Sequence, residues 1–300
     1  MNKPCSTTPL NGCDYCAPLF IGGSQQGIQK VPLRNGLITR NGTVTFIEFE
    51  NIMYAVTCWH VLASLRRNVG IGPDHEFIIS RSGFYHLADR FVAPELSSHQ
   101  FDPSILADQD SFEHRSLTKG NADIAIRPIR RESVAAIRKR PVLLSDFHDQ
   151  LICNLKYGVA SGFAELGSKD LGSGIQTECG SIVAEISKRN QLVSQAEHIA
   201  FRSEAKGKPS YSDLAGFSGG PVFWTNESDT TSGFIGILYE GVPPTNESEV
   251  FGTGDPLTYP VHFYALVVTP EKFCSWIKSC HAILRECGHS HWWPGLGELC

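Results

Sequence analysis

Ser218 lies in the run Asp213-Leu214-Ala215-Gly216-Phe217-Ser218-Gly219-Gly220-Pro221-Val222-Phe223, a hydroxyl among glycines followed by residues that can start a strand. A serine hydroxyl attacks a carbonyl only when a base takes its proton and donors hold the oxyanion that forms. Glycines permit a turn tight enough for amide N–H groups to point the same way as the serine oxygen. The two donors would be the N–H groups of Gly216 and Ser218. The same run also suits a plain Gly-rich turn between strands, so a base and an orienting acid must be sought elsewhere.

Two residues answer that need. His60 stands in Cys58-Trp59-His60-Val61-Leu62-Ala63, which reads as a helical turn following the strand 52–57. That strand forms a hairpin with 43–49 through the turn Glu50-Asn51. Asp123 stands at the entrance of the strand 122–129. A single His or Asp in such a place is ordinarily a cap or turn residue. Together His60, Asp123 and Ser218 run in the order base, acid, nucleophile, each at a strand end or tight turn, as a hydrolytic triad requires. Asp102, Asp108 and Asp110 lie in a polar stretch and have no comparable setting.

The elements that must hold these groups are mostly strands. The chain has 300 residues, 41% of them hydrophobic, enough for a sizeable core in two β domains. Its 28 glycines and 17 prolines punctuate short β-branched and aromatic runs, which favours an all-β architecture. Residues 1–29 read as an N-terminal arm, 30–140 as a first β domain carrying His60 and Asp123, and 141–269 as a second carrying Ser218. Residues 270–300 read as a terminal helix and a Cys/His/Trp tail. Residues 94–120 are polar and lack a sustained apolar period, as in a long surface insertion.

The net charge of −5 and the lack of a basic run argue against a nucleic-acid partner. No apolar run reaches 18 residues and no signal-peptide core appears, so the chain reads as cytoplasmic, with no membrane partner. Ten cysteines are many for such a chain. Cys58 and Cys153 read as buried small hydrophobes, while Cys5, Cys13 and Cys16 cluster at one end and Cys274, Cys280, Cys287 and Cys300 at the other. Cys13-x-x-Cys16 has the spacing of half a zinc site, and Cys287 with His289 could supply another half. Free thiols, or disulfides between the termini, are the alternatives. No cofactor is expected.

With these pieces in place, the chain resembles the trypsin/chymotrypsin-like serine peptidases, most closely the protease domain of the bacterial Deg/HtrA-type branch. Thr57-Cys58-Trp59-His60-Val61 is similar to that family's T-x-x-H-V segment. Asp123-Ile124-Ala125 is similar to its acid strand, and Gly216-Phe217-Ser218-Gly219-Gly220-Pro221-Val222-Phe223 to its nucleophile loop. Phe234-Ile235-Gly236-Ile237 and 263–268 resemble the strands that follow, and the whole match spans about residues 30–285. The resemblance implies two Greek-key antiparallel β-barrels with a C-terminal α-helix. It implies a serine endopeptidase, with Ser218 as nucleophile, His60 as base, Asp123 as its orienting acid, and Gly216 and Ser218 as the oxyanion hole.

Two departures matter. Phe217 stands where secreted digestive members carry an Asp that pairs with a newly cut N-terminus, so that activation switch is unavailable. No PDZ-like domain is expected within the residues after the last helix. The resemblance further implies that Ile237, Leu238, Tyr239 and Gly241 offer backbone to an extended peptide. Ser212, Asp213 and His262 fall near the pocket for the residue before the scissile bond. An Asp facing that pocket favours Lys or Arg, a His favours acidic or polar residues, and both side chains could equally be solvated. The partner is a protein or peptide substrate; oligomeric state is not legible. A catalytically inactive interaction protein on the same fold, or an esterase-like hydrolase with the same triad, are the competing readings.

Overall fold

The computed structural model describes residues 11–23, 42–62, 75–79, 86–87, 91–94, 122–144, 156–164, 169–170, 175–176, 178–186, 198–206, 215–225, 232–242, 258–290 and 293. The expected insertion from residue 95 to 120, Cys153, Ser212 and Asp213 lie outside these.

The first half begins with a 3-10 turn, η1 (Gly12–Tyr15), that runs into β1 (Cys16–Gly23). β2 (Gly42–Phe49) and β3 (Ile52–Thr57) form the expected hairpin. Its two turn residues, Glu50 and Asn51, both take positive φ, 49° and 65°, the signature of the tight turn that matches strand twist. β4 (His75–Ile79), β5 (His86–Leu87), β6 (Ala125–Pro128), a short helix α1 (Arg131–Ala136) and β7 (Val142–Leu143) complete this half. The sheet runs β5-β4-β1-β2-β3-β6, with β7 parallel to β2.

The second half is a closed barrel. β8 (Tyr157–Phe163), a small side pair β9 (Lys169–Asp170) and β10 (Ile175–Gln176), then β11 (Cys179–Ile186), β12 (His198–Lys206), β13 (Pro221–Thr225), β14 (Ser232–Val242) and β15 (Thr258–Val267) follow in sequence. The barrel closes in the order β11-β12-β15-β14-β13-β8. β12 returns beside the end of the hairpin-linked run β13-β14-β15, a Greek-key arrangement. The fold is thus all-β, a closed barrel beside a second sheet, with one long C-terminal helix.

That helix, α2 (Pro270–Glu286), begins where its sequence says it should. The Thr269 side chain accepts from Lys272 N at 3.2 Å and Pro270 occupies the first helical position. It ends at Gly288, whose φ of 73° suits only a residue without Cβ. Phe273, Trp276, Ile277, Cys280, Ile283 and Leu284 form its buried stripe. Phe273 meets Tyr54 and Phe49 edge-on, at 5.3 and 5.7 Å, which docks the helix on the first sheet.

The N-terminal residues depart from the expected arm. β1 lies inside the first sheet, paired with β2 on one side and β4 on the other. Pro18 is accommodated within β1 because β4 pairs only from Leu19 onward, so Pro18 has a strand on one side alone and its missing N–H costs no ladder bond there. η1 then leans on the second barrel. Gly12 packs so tightly there that a Cβ would stand 2.1 Å from Ser161 Oγ. Tyr15 meets Phe223 in a tilted pair at 5.1 Å, and the Arg140 guanidinium lies 4.7 Å from the Tyr15 ring centre.

Cys13 is bonded to Cys179, at the start of β11, so a disulfide fastens η1 to the barrel across 166 residues. Cys274 is disulfide-bonded as well. This overturns the proposed half zinc site, since Cys13 has no free thiolate to offer. Its would-be companion Cys16 is buried, donates to Gly12 O, and is pushed up to about 12 chiefly by burial, partly opposed by Lys139. The Cys13–Cys179 bond also sits against the cytoplasmic expectation, because structural disulfides persist mainly in oxidising surroundings. No helix among the described residues is long and apolar enough to cross a membrane.

Candidate active site

Strand pairing brings His60 and Asp123 together. β3 and β6 are antiparallel with Thr57 opposite Ala125. His60 lies three residues beyond Thr57 and Asp123 two residues before Ala125, so both project from the same end of the pair. Residues 59–62 form one helical turn there. Asp123 Oδ1 accepts the His60 backbone N–H at 3.0 Å, one of the amides a helix start leaves without an internal partner. Asp123 Oδ2 meets His60 Nδ1 in a short contact. The carboxylate is buried at 9% exposure while the imidazole keeps 23%, so the Asp123 side chain is shielded and the His60 ring remains reachable.

Ser218 enters from the other half, in the loop between β12 and β13. Gly216 and Gly219 have φ of 93° and 91°, which admits only glycine without strain, and a Cβ on Gly219 would stand 2.0 Å from Thr43 O. Every carbonyl from Gly216 to Gly220 is engaged. Gly216 O accepts from Thr43 Oγ1 at 2.6 Å and Ser218 O from Thr43 N at 3.1 Å. Gly219 O accepts from Thr45 Oγ1 at 2.7 Å, Phe217 O from Gly220 N, and Gly220 O from Leu238 N. Among the described residues, the N–H groups of Gly216 and Ser218 donate to nothing. With all carbonyls of the loop engaged, these two amides are left able to donate to a negatively charged oxygen. The Ser218 hydroxyl donates to Tyr239 O at 3.1 Å.

Phe217 explains how the loop keeps this form. It is buried in the second barrel with Phe201, Val222 and Phe263. Gly162 on β8 and Gly180 on β11 make room for it: a Cβ on either would approach Phe217 to 2.9 Å and 3.0 Å. An apolar anchor therefore holds the position beside Ser218.

β14 lies against the site. β13 pairs with it only as far as Ile237, and a bulge follows between Leu238 and Glu240. The bulge turns the Tyr239 carbonyl to Ser218. Ile237, Leu238 and Tyr239 are buried, and Gly241 lies on the stretch that pairs with β15 alone among the described strands. His262 is half-buried on β15, opposite Arg202 and Val242.

Cys58, His60 and Asp123 are the one grouping among the described residues compact enough to hold a metal. The state of its thiol does not suit a metal ligand. The Cys58 thiol is buried and donates to Leu238 O at 3.3 Å, and burial, reinforced by the Asp123 charge, pushes it well above the ordinary 9.0, whereas a metal needs the thiolate. Cys287 and His289, the other residues of the expected metal set, sit at the end of α2 and have lost their partner Cys13 to the disulfide.

No protein-family model matches the chain, and no curated protein matches it. Solved structures do. The chain is similar to a thermostable serine protease, AL20, from an extremophilic microorganism, with a TM-score of 0.43 and 11% identity over 89% of this chain and 97% of that one. It is similar to the protease Anisep from Arthrobacter nicotinovorans, with a TM-score of 0.41 and 12% identity over 89% and 95%. Neuropsin, a serine protease expressed in the limbic system of mouse brain, gives a TM-score of 0.42 and 12% identity over 92% and 96%.

Sequence reasoning missed the threonines. Thr43, Thr45 and Thr57 read as β-branched strand formers, yet all three are fully buried with every hydroxyl bonded to a carbonyl of the site or its support. The sequence signal is confined to β2, where Thr43 and Thr45 stand at alternate positions, while Thr57 is a lone threonine at the end of β3.

Proposed function

We propose that the chain is a serine endopeptidase acting through an acyl-enzyme. The observation that carries this reading is the pairing of a doubly held His60–Asp123 unit with a loop whose Gly216 and Ser218 amides are left without acceptors. Substrate binding would draw the Ser218 hydroxyl from Tyr239 O toward His60, a movement within the looseness that unliganded sites commonly have. His60 takes the proton as Ser218 Oγ bonds to the peptide carbonyl carbon. The Gly216 and Ser218 amides hold the oxyanion, and the C–N bond breaks as His60 returns the proton to the amine. Water then repeats the sequence on the acyl-enzyme. Asp123 keeps the imidazole in the tautomer that presents its far nitrogen to Ser218.

The affinity to the Deg/HtrA-type branch rests on the sequence resemblance of the His, Asp and Ser segments and belongs to this proposal. So does peptide binding along β14, where Glu240 and Gly241 continue past the end of β13. An extended strand there would place its carbonyl at Ser218.

The test is digestion of a mixed peptide library, with products read by mass spectrometry. The wild type should cut peptides and Ser218→Ala should not. Ester turnover without peptide cleavage would favour the esterase reading. Neither activity in a folded protein would favour the non-catalytic one.

A further inference from the structure

We propose that the Thr43 hydroxyl is a positioning residue for the oxyanion hole, fixing the peptide that joins its two donors; this rests on the serine-peptidase reading above. Gly216 is the weak point of the loop. With no Cβ and a φ of 93°, it can rotate its flanking peptides at little cost. Within its own half, nothing described holds its carbonyl. The restraint comes across the interface from β2, where Thr43 Oγ1 donates to Gly216 O at 2.6 Å.

The direction of that bond is fixed. The same hydroxyl oxygen accepts the Phe163 N–H at 3.0 Å, so its proton is turned to Gly216. Thr43 N meanwhile donates to Ser218 O at 3.1 Å. One fully buried residue thus grips both ends of the arc Gly216–Ser218 that carries the two donor amides. Thr43 is itself held. Its carbonyl accepts from Thr57 Oγ1 at 2.7 Å, and Thr57 lies three residues before His60. The hydroxyl therefore ties the oxyanion donors to the strand that carries the base, across the boundary between the two halves.

The experiment compares wild type, Thr43→Val and Thr43→Ser on p-nitrophenyl acetate, with thermal melting to verify that each is folded. Loss of one oxyanion donor outright costs about a hundred- to a thousandfold; loosening the arc should cost less, lowering kcat about ten- to a hundredfold in Thr43→Val with KM unchanged. Thr43→Ser, which keeps the hydroxyl, should recover most of the loss, a rescue that a purely volumetric role would not give. Thr43→Ala removes the same hydroxyl in a smaller side chain and should lose kcat to a similar extent if Thr43→Val does not fold. Wild-type kcat in folded Thr43→Val, or a Thr43→Ser as slow as Thr43→Val, overturns the proposal. A crystal structure of the hydroxyl-free variant separates this from the activity itself. The Gly216 carbonyl should leave its position, and an unmoved peptide overturns the clamp even if the wild type proves inactive and the peptidase reading falls.

Discussion

Asp123 grips His60 at two points, its Oδ1 on the backbone N–H and its Oδ2 on ring Nδ1. One carboxylate thereby fixes where the histidine starts and how its ring turns. In Asp123→Asn the amide can still accept the backbone N–H, so the fold should persist, but an amide facing Nδ1 favours the wrong tautomer. We expect kcat on an ester substrate to drop about ten-thousandfold with little change in melting temperature. A loss under tenfold would mean that Asp123 does not orient the base.

The Phe217 slot predicts an asymmetry between two glycines. A Cβ on Gly162 meets the Phe217 backbone, whereas one on Gly180 meets only the ring tip. Gly162→Ala should lose about 1–3 kcal/mol in urea unfolding, as overpacking does, and should also slow turnover by displacing the loop. Gly180→Ala should lose less, because a ring can tilt where a backbone cannot. Equal losses would show that the slot does not discriminate.

His60, Asp123 and Ser218 could be singled out as candidates because each sits in a local signature: a helical turn after a hairpin, an acid before an apolar strand, and a serine among glycines. The terminal helix α2 was legible because its opening proline and apolar stripe agree. β1 was hidden by Pro18, which is tolerated only because its second neighbour begins one residue later. The disulfide was hidden because Cys179 lies far from both termini, and a pairing across 166 residues leaves no local trace. The threonine contacts were hidden for the same reason, since Thr43 and Gly216 meet only when the two halves do.

The Cys13–Cys179 bond should be a measurable staple. It closes a long loop and fastens η1 to the barrel, so Cys13→Ser should lose about 2–4 kcal/mol of unfolding free energy. Reductant should lower the melting temperature of the wild type more than that of the variant, which keeps the disulfide of Cys274. A wild-type melt indifferent to reductant, with the cystine shown to be reduced, would contradict this.

His281 gives a pH signature. Burial, with Arg285 nearby, holds its imidazole below the ordinary 6.5, and its ring meets Trp293 edge-on. The unfolded chain therefore binds the proton more readily than the folded one. Stability from this group is present in full above pH 6.5 and falls as the pH drops below it. The melting temperature should decline on acidification through that range, and His281→Gln should reduce the slope. An unaltered slope in the variant would assign the decline to other groups.

The central claim is that Ser218 is a nucleophile activated by His60. It is tested most directly by treating the folded protein with a fluorophosphonate and locating the adduct by peptide mass mapping. The account predicts a single adduct on the peptide containing Ser218, formed by the wild type and lost in His60→Ala. No adduct, an adduct on another residue, or equal labelling in His60→Ala would contradict it.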